Sequence, residues 1–229
     1  MTGIQIKDLA SIQAAVKVLH TTYGIPHVVI SSLPICTTLQ AELQEAQPFR
    51  SMSWNAQPCG EIARTDERLL CVASSVASSD AVSEVAAAII PRIKGYFAGV
   101  GDLFSALVLA HFKPDQGPSV LLDNVGSREP TAGSRPEAAH AAEALHTALK
   151  AALSTTQAIL ISTHEHCASG PVDDCPPTDD EEDAADPERR VRRMRARELR
   201  IVHGLDVIRA PPDGLVDVVP WDDFWVAHP

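Results

Sequence analysis

The residues whose types and spacing could do chemistry form the run Gly99-Val100-Gly101-Asp102, which precedes a long apolar segment. Glycines allow a tight turn in which the backbone N–H groups are exposed. The apolar run that follows predicts a helix, buried on most sides, to about His111. A glycine turn at the start of a helix gathers free N–H donors at the positive end of the helix dipole, so the sequence predicts an anion site here.

Two roles are open to the carboxylate of Asp102. Asp is among the residues favoured at the N-cap of a helix, and the spacing alone favours that role. The alternative is a general base, which takes a proton from an alcohol while the N–H groups hold a transferring phosphoryl group. Gly-x-Gly-Asp is too short a motif to decide between them.

The elements that position this run begin with an αβ unit. Residues 7–22 predict a helix that Asp8 caps and Gly24 ends, and a β-branched strand follows from His27 to Ser31. A continuous apolar strand is typical of a parallel sheet covered on both faces, so we expect a mainly parallel sheet flanked by helices. The pair Ser31–Ser32 then lies at the carboxyl end of the strand, where ligands bind in such sheets. Taken alone, two turn-forming serines are the simpler interpretation.

Further elements are predicted along the chain. The run Leu69–Ala73 predicts a strand, and Leu215–Val219 predicts a last strand. A long helix is predicted from Pro136 and Glu137 to about Leu160, with a buried leucine stripe at Leu145, Leu149, Leu153 and Leu160. At the ends of these elements, His20 is expected at the surface, whereas the C-terminal aromatic residues are expected to pack: Trp221, Phe224 and Trp225.

The composition changes abruptly from about residue 163 to residue 197. Eight acidic residues lie between Asp173 and Asp186, and seven arginines lie between Arg189 and Arg200. Such a segment has too little apolar area to offset the entropy of ordering, so we expect a disordered insert. The predicted organisation is therefore one domain made of residues 1–162 and 198–229, interrupted by the insert 163–197.

Composition excludes several classes of protein. The chain has 229 residues, 45% of them hydrophobic, and a net charge of −11. That charge argues against a nucleic-acid or anionic-membrane surface, and no apolar stretch is long enough to span a bilayer. The five cysteines are odd in number and widely spaced, and no signal peptide is apparent, so free thiols and a cytoplasmic location are expected.

Other motifs for chemistry are weak or missing. The run His164-Glu165-His166-Cys167 contains metal-capable side chains, but no second pair follows at a zinc spacing. Neither a Walker-type phosphate loop nor a Gly-x-Ser-x-Gly nucleophile elbow occurs in the sequence.

Two stretches resemble one family. The run from Gly99 to Leu107 resembles the motif of pyridoxal kinases, in the ribokinase-like superfamily, where Gly-Thr-Gly-Asp-Leu-Phe precedes small and aliphatic residues. The run from Gly24 to Ser32 is similar to the family's strand that ends in a Thr/Ser-Ser pair. With gaps, the resemblance extends from about Thr2 to Trp221, and it covers only the C-terminal half of a normal pyridoxal kinase.

The resemblance implies a partial ribokinase-like fold and phosphoryl transfer from ATP to the 5′-hydroxymethyl group of pyridoxal, pyridoxine or pyridoxamine. It implies that Asp102 is the catalytic base, and that Mg²⁺ bridges the phosphates with a monovalent cation nearby. It also implies an extended strand over residues 85–93, where helix propensity is high, and a homodimer in the full-length form. The implied nucleotide contacts are the serine pair, the glycine turn and an adenine slot: Ser31, Ser32, Ile93, Phe97, Gly99, Val100, Gly101, Leu149 and Leu153.

Two departures from the family leave alternatives open. Val100 replaces the usual Thr and removes a hydroxyl that could bond phosphate. The half of the family that carries the pyridoxal pocket, the lid and acidic residues near the metal has no counterpart, so we expect a truncated chain with an ATP half-site. The alternatives are a catalytically inactive nucleotide-binding or interaction fragment, and a ribokinase-like kinase of another small alcohol.

Overall fold

The computed structural model describes residues 2–50, 64–76, 82–93, 95, 97–114, 137–169 and 184–226. Helices and strands both occur along the described chain, and one helix is much longer than the others. In order they are α1 (Leu9–Thr21), β1 (His27–Pro34), α2 (Thr37–Glu45), a 3-10 turn (Gln47–Phe49), β2 (Arg64–Ser75), β3 (Glu84–Ile93), α3 (Val100–His111), α4 (Glu137–Ala168), α5 (Pro187–Ala196), α6 (Leu205–Arg209) and β4 (Val219–Pro220).

The four described strands form one sheet in the order β1-β2-β3-β4, and every neighbouring pair is antiparallel. The prediction of a mainly parallel sheet is therefore wrong. Only residues 76–83 separate β2 from β3, and parallel strands need a longer crossover connection than this, whereas antiparallel strands do not. The continuous apolar run of β1 led to the wrong conclusion because such a run reports cover on both faces, not strand direction.

Both faces of the sheet are indeed covered, by different parts of the chain. One face carries Leu70 and Val72, which pack with α1, α2 and the C-terminal aromatic residues. The other face carries Cys71 and Ala73, which pack with α3 and α4. The alternation of side chains along β2 thus divides the buried residues between two apolar cores.

Several predicted elements are confirmed. Asp8 caps α1 in a reciprocal capping box with Ser11, whose backbone N–H donates to the Asp8 carboxylate at 2.8 Å. β3 spans Glu84–Ile93, so the extended strand that the resemblance implied is present where propensity favoured helix. The four predicted leucines of α4 are all buried. The last strand is shorter than expected, since only Val219–Pro220 pairs with β3.

The C-terminal aromatic residues pack, as predicted. Trp221 is 2% exposed and meets Phe49 edge-on, with ring centroids 5.2 Å apart. Phe224 is fully buried and contacts both Trp221 and Trp225. His20, which was expected at the surface, is instead buried, because both of its ring nitrogens have hydrogen-bond partners in the interior.

The predicted disordered insert, 163–197, is helical at both ends in the described residues. α4 continues to Ala168, and α5 begins at Pro187 behind Asp186, whose carboxylate accepts from the N–H groups of Glu188 and Arg189. Local capping and the ion pair between Asp186 and Arg192 support this helix where apolar area is scarce. Residues 170–183 lie outside the described part.

Candidate functional site

A cavity of about 310 Å³ lies between the ends of β1 and β3, the start of α3 and the middle of α4. Its volume is in the range of small-molecule sites. Most of its wall is apolar, and Arg92 is the one charged residue among those that line it. The lining residues are Ser31, Ser32, Leu69, Ile90, Pro91, Arg92, Ile93, Gly95, Phe97, Val100, Gly101, Phe104, Leu153, Thr156, Gln157 and Leu160.

The start of α3 contributes backbone donors to this cavity. Gly99 is the N-cap in the left-handed conformation, with φ 84°, which favours glycine. The first bond of the helix runs from the N–H of Leu103 to the carbonyl oxygen of Gly99, at 3.0 Å. The N–H groups of Val100, Gly101 and Asp102 therefore have no partner within the helix, and the helix dipole favours an anion at this end.

Asp102 is not the cap of this helix, so the capping interpretation is wrong. It lies within the first turn of α3, and Gly99 takes the N-cap position without any side-chain bond. The residue is exposed. It does not line the cavity, although Val100, Gly101 and Phe104 around it do. Its carboxylate is therefore free to meet a ligand that extends beyond the cavity.

The serine pair lies at an irregularity in β1. The pairing register of β1 with β2 shifts between Ile30 and Leu33, and Ser32 between them has φ 60°. A positive φ is strained for a residue other than glycine, and such strain is concentrated at functional sites. Both serines line the cavity, because the bulge breaks the regular alternation of side chains.

Cys71 lies behind the serine pair in the core. Burial raises the pKa of the Cys71 thiol to about 11, and a hydrogen bond with the backbone of Ser32 opposes this rise. Cys71 is completely buried and is part of the apolar core on this face of the sheet.

The aromatic wall depends on a glycine. Gly95 has φ 111°, and a Cβ built on it would lie 3.3 Å from the ring of Phe97. Gly95 thus allows the ring to lie close against the backbone, which helps to fix its position at the cavity. Ile93, at the end of β3, lines the same wall.

The cavity brings together seven of the ten predicted site residues: Ser31, Ser32, Ile93, Phe97, Val100, Gly101 and Leu153. The other three do not line it. Gly99 is the N-cap of α3, Asp102 lies in the first turn of that helix, and Leu149 is completely buried in the core between α4 and the sheet. Leu149 and Leu153 share a stripe of α4, but only Leu153 reaches the cavity.

Sequence reasoning missed part of the α4 wall, namely Thr156 and Gln157. A signal was present, since Ser154 to Gln157 are four consecutive polar residues in a helix otherwise rich in Ala and Leu. All four are buried. A helix that buries a complete polar turn has a reason to do so other than core packing.

Two further features are absent from the described part of the chain. No group of three or more His, Cys, Asp or Glu side chains there could hold a metal ion, and the run from His164 to Cys167 belongs to the last turns of α4. Within the same residues, none of the helices combines the length and the apolar character needed to cross a membrane.

The arrangement can bind an elongated anionic ligand with an apolar part. The apolar wall suits a flat ring system, whereas the serine hydroxyls and the α3 amides suit negatively charged oxygens. The exposed carboxylate beside those amides can accept a proton.

No protein-family model matches the sequence, and no curated protein matches it significantly. Solved structures do match the fold. The pyridoxal kinase from Leishmania donovani in complex with ADP and pyridoxamine matches with 20% identity and a TM-score of 0.51, over 96% of this chain and 47% of that chain. The complex with ADP and pyridoxine matches with 18% identity and a TM-score of 0.50, over 96% and 45%. The pyridoxal kinase from Trypanosoma brucei gives 19% identity and a TM-score of 0.49.

These matches show the fold. The resemblance to pyridoxal kinases that the sequence motifs indicated is confirmed in the structure, and the chain spans about half the length of the kinases that it matches.

Proposed function

We propose that this chain binds ATP in the cavity and supplies the nucleotide half of a kinase site that phosphorylates the 5′-hydroxymethyl group of pyridoxal or a related vitamin B6 form. The observation that carries the proposal is the junction of the apolar cavity with the free amides at the start of α3. In this proposal the nucleoside occupies the cavity, and the terminal phosphate lies at the amides. The fold shared with kinases that were crystallised with ADP supports it.

Each part of the cavity would have one task. Ile93, Phe97 and Leu153 would enclose the base, and the hydroxyls of Ser31 and Ser32 would donate to phosphate oxygens. Arg92 lies on the same wall, where it is paired with Glu67. That pair would limit its charge contribution, so we assign most of the phosphate stabilisation to the α3 amides.

The chemical step is a displacement at the γ-phosphorus. The alcohol oxygen forms a bond to phosphorus, the bond to the β-phosphate oxygen breaks, and ADP leaves with the electron pair. The alcohol proton passes to the carboxylate of Asp102. The amides of Val100, Gly101 and Asp102 stabilise the charge on the moving phosphoryl group, which is the main catalytic contribution in such reactions.

The described residues provide no ready-made site for Mg²⁺ or a monovalent cation, since Asp102 is a single carboxylate. Mg²⁺ is commonly held by substrate phosphates, water and one or two carboxylates. We therefore assign no step to a metal ion.

We also infer that residues 1–162 and 198–229 form one domain, which the pairing of β4 with β3 and the contact of Trp221 with Phe49 support.

A second candidate is a nucleotide-binding or interaction module without turnover. Two observations favour it: the chain spans about half the length of the kinases it matches, and Val100 places an isopropyl group where the related motif has a hydroxyl. The loss of one hydrogen bond of about 1.4 kcal/mol would slow transfer by about tenfold.

Calorimetric titration with ATP, followed by a turnover assay with pyridoxal, tests both candidates. The proposed half-site requires saturable ATP binding by this chain, and the proposed kinase requires formation of pyridoxal 5′-phosphate by a form that also contains the substrate half. In that form Asp102→Asn is expected to abolish turnover while it keeps ATP affinity within about twofold. The matched control is Asp206→Asn, an exposed carboxylate in the first turn of α6, which is expected to change neither quantity.

The outcomes separate the candidates. ATP binding without phosphorylation of pyridoxal favours the inactive module, and phosphorylation of a sugar or hydroxymethylpyrimidine alone favours a kinase of another alcohol. Full turnover by Asp102→Asn removes Asp102 from the role of base, and the absence of ATP binding rejects the proposal.

A further inference from the structure

Two polar side chains in the α4 wall of the cavity have oxygen atoms that no described residue satisfies. Thr156 is 5% exposed and Gln157 is 4% exposed. The hydroxyl oxygen of Thr156 and the amide oxygen of Gln157 are buried and have no hydrogen-bond partner among the described residues. Native proteins keep few such groups because each one lowers stability. Four consecutive residues of α4, Ser154 to Gln157, carry such atoms, and of these four only Thr156 and Gln157 line the cavity, where a ligand can complete the bonding.

The orientation of the Gln157 amide follows from its neighbour. Its Nε2 lies 3.4 Å from the backbone carbonyl oxygen of Pro91, which can only accept a hydrogen bond. The NH₂ group must therefore face β3, and the amide oxygen is left as an unpaired acceptor. The Thr156 hydroxyl, one residue earlier on α4, can donate. The Gln157 oxygen and the Thr156 hydroxyl thus offer one acceptor and one donor. Both groups lie beneath the cavity surface, and a rotation of each side chain would bring its polar atom to a ligand.

We propose that Thr156 and Gln157 select the base of the bound nucleotide, and that the base is adenine; this inference rests on the proposed function. The surrounding wall, which includes Phe97, Leu153 and Leu160, suits the faces of a purine. The Gln157 oxygen accepts from the exocyclic amine of adenine, and the Thr156 hydroxyl donates to a neighbouring ring nitrogen. Guanine presents a carbonyl oxygen where adenine has the amine, so it opposes the Gln157 oxygen with a second acceptor.

The chain offers matched controls one and two residues earlier. Ser154 is 1% exposed and Thr155 is completely buried, and both have unpartnered side-chain oxygens in the described structure. Neither lines the cavity. They share the helix, the burial and the chemistry of the proposed pair, and differ in lacking access to the ligand.

The test is calorimetric titration of the full chain with ATP, GTP and inorganic tripolyphosphate. The parent is expected to bind ATP at least tenfold more tightly than GTP. Thr156→Val and the nearly isosteric Gln157→Met are each expected to weaken ATP binding by about fivefold to tenfold, as the loss of one hydrogen bond does. Both are expected to leave tripolyphosphate binding unchanged, whereas Ser154→Ala and Thr155→Val leave all three ligands unchanged.

Folding does not confound this test for Thr156→Val, Ser154→Ala and Thr155→Val, because each removes an unpaired buried hydroxyl and is expected to keep or raise the melting temperature. Gln157→Met also removes the hydrogen bond from Nε2 to the Pro91 carbonyl oxygen, so its melting temperature is measured as well, and unchanged tripolyphosphate binding shows that the variant is folded. ATP affinity that is unchanged in Thr156→Val and Gln157→Met overturns the inference while the proposed function stands. An equal loss of ATP and tripolyphosphate binding, or an equal loss in the controls, assigns the residues to structure and also overturns it. A parent that binds neither nucleotide overturns the proposed function and this inference together.

Discussion

The Nε2 atom of His20 lies 2.8 Å from the hydroxyl oxygen of Ser74, which links the last turn of α1 to the end of β2 inside the protein. The other ring nitrogen lies 2.6 Å from the carbonyl oxygen of Ile25, so Nδ1 carries a proton. Ser74 in turn bonds the hydroxyl of Ser83 at 2.8 Å, and the indole N–H of Trp225 donates to that hydroxyl at 3.2 Å. A continuous series of hydrogen bonds thus connects α1, near the N-terminus, with Trp225, near the C-terminus.

Removing the imidazole is expected to destabilise the protein. His20→Ala leaves the buried Ser74 hydroxyl and the Ile25 carbonyl with fewer partners and opens space, so we expect a loss of about 2–4 kcal/mol in the free energy of unfolding. Urea denaturation measures it. His203→Ala, at an exposed histidine, should change stability by less than about 0.5 kcal/mol. Equal effects of the two substitutions would contradict the role given to the chain of hydrogen bonds.

The strained conformation of Ser32 predicts opposite changes in stability and binding. Ser32→Gly relieves a left-handed conformation that costs about 1–2 kcal/mol, partly offset by the entropy of glycine, so we expect up to about 1 kcal/mol of added stability. ATP affinity should fall because the hydroxyl is lost. Ser32→Ala keeps the strain and loses the hydroxyl, so it should weaken binding without the gain in stability. A thermal melt with and without ATP separates the two; a glycine variant less stable than the alanine variant would refute the strain.

The pH dependence of stability should include a contribution from His146. Burial lowers the pKa of His146 from 6.5, and the charge of Glu143 opposes this effect only in part. The unfolded chain therefore binds the proton more readily, and stability is lost as the pH falls below about 6.5.

His146→Gln should flatten the pH profile of unfolding between pH 7 and pH 5, because it removes this titration; those limits bracket the ordinary pKa of about 6.5. Denaturant midpoints across the range provide the measurement. His203→Gln serves as the control and should leave the slope as it is in the parent. A His146→Gln profile as steep as that of the parent would exclude His146 as a contributor.

The thiols of Cys36 and Cys71 should react very differently. Cys36 is exposed, whereas Cys71 is completely buried and burial raises its pKa to about 11. Iodoacetamide at pH 8, followed by peptide mass spectrometry, should label Cys36 within minutes and Cys71 only after denaturant is added. Labelling of Cys71 at a comparable rate in the native protein would show that the core behind Ser32 opens readily.

The sequence predicted the elements better than their arrangement. The Asp8 cap, the leucine stripe of α4 and the glycine turn before α3 are local patterns, and each appears where it was expected. Strand direction is a property of pairing between distant segments, and the apolar run of β1 carries no information about it. The burial of His20 depends on Ser74, which is 54 residues away, so its own helix could not reveal it.

The candidate site, too, could be predicted from the sequence only in part. The glycine turn before α3 could be predicted from a short motif, since its residues are adjacent in the sequence. The assignment of Ser31 and Ser32 to the same site depended on the resemblance to a family, because nothing in their own stretch connects them to the glycines. The contribution of Thr156 and Gln157 could not, because it depends on which side of a nearly fully buried helix turn meets the cavity. The bulge at Ser32 likewise required the register between two strands.

The order β1-β2-β3 in space repeats the order in the chain, and this has a consequence for how the protein assembles. β2 and β3 can pair early, since only residues 76–83 are closed into the connection between them, while residues 94–136 lie between β3 and α4, which packs on the same sheet. The cavity, whose walls come from both parts, is therefore completed late. A ligand in this cavity would therefore bind only at the end of folding, and it would be the first to leave when α4 detaches from the sheet.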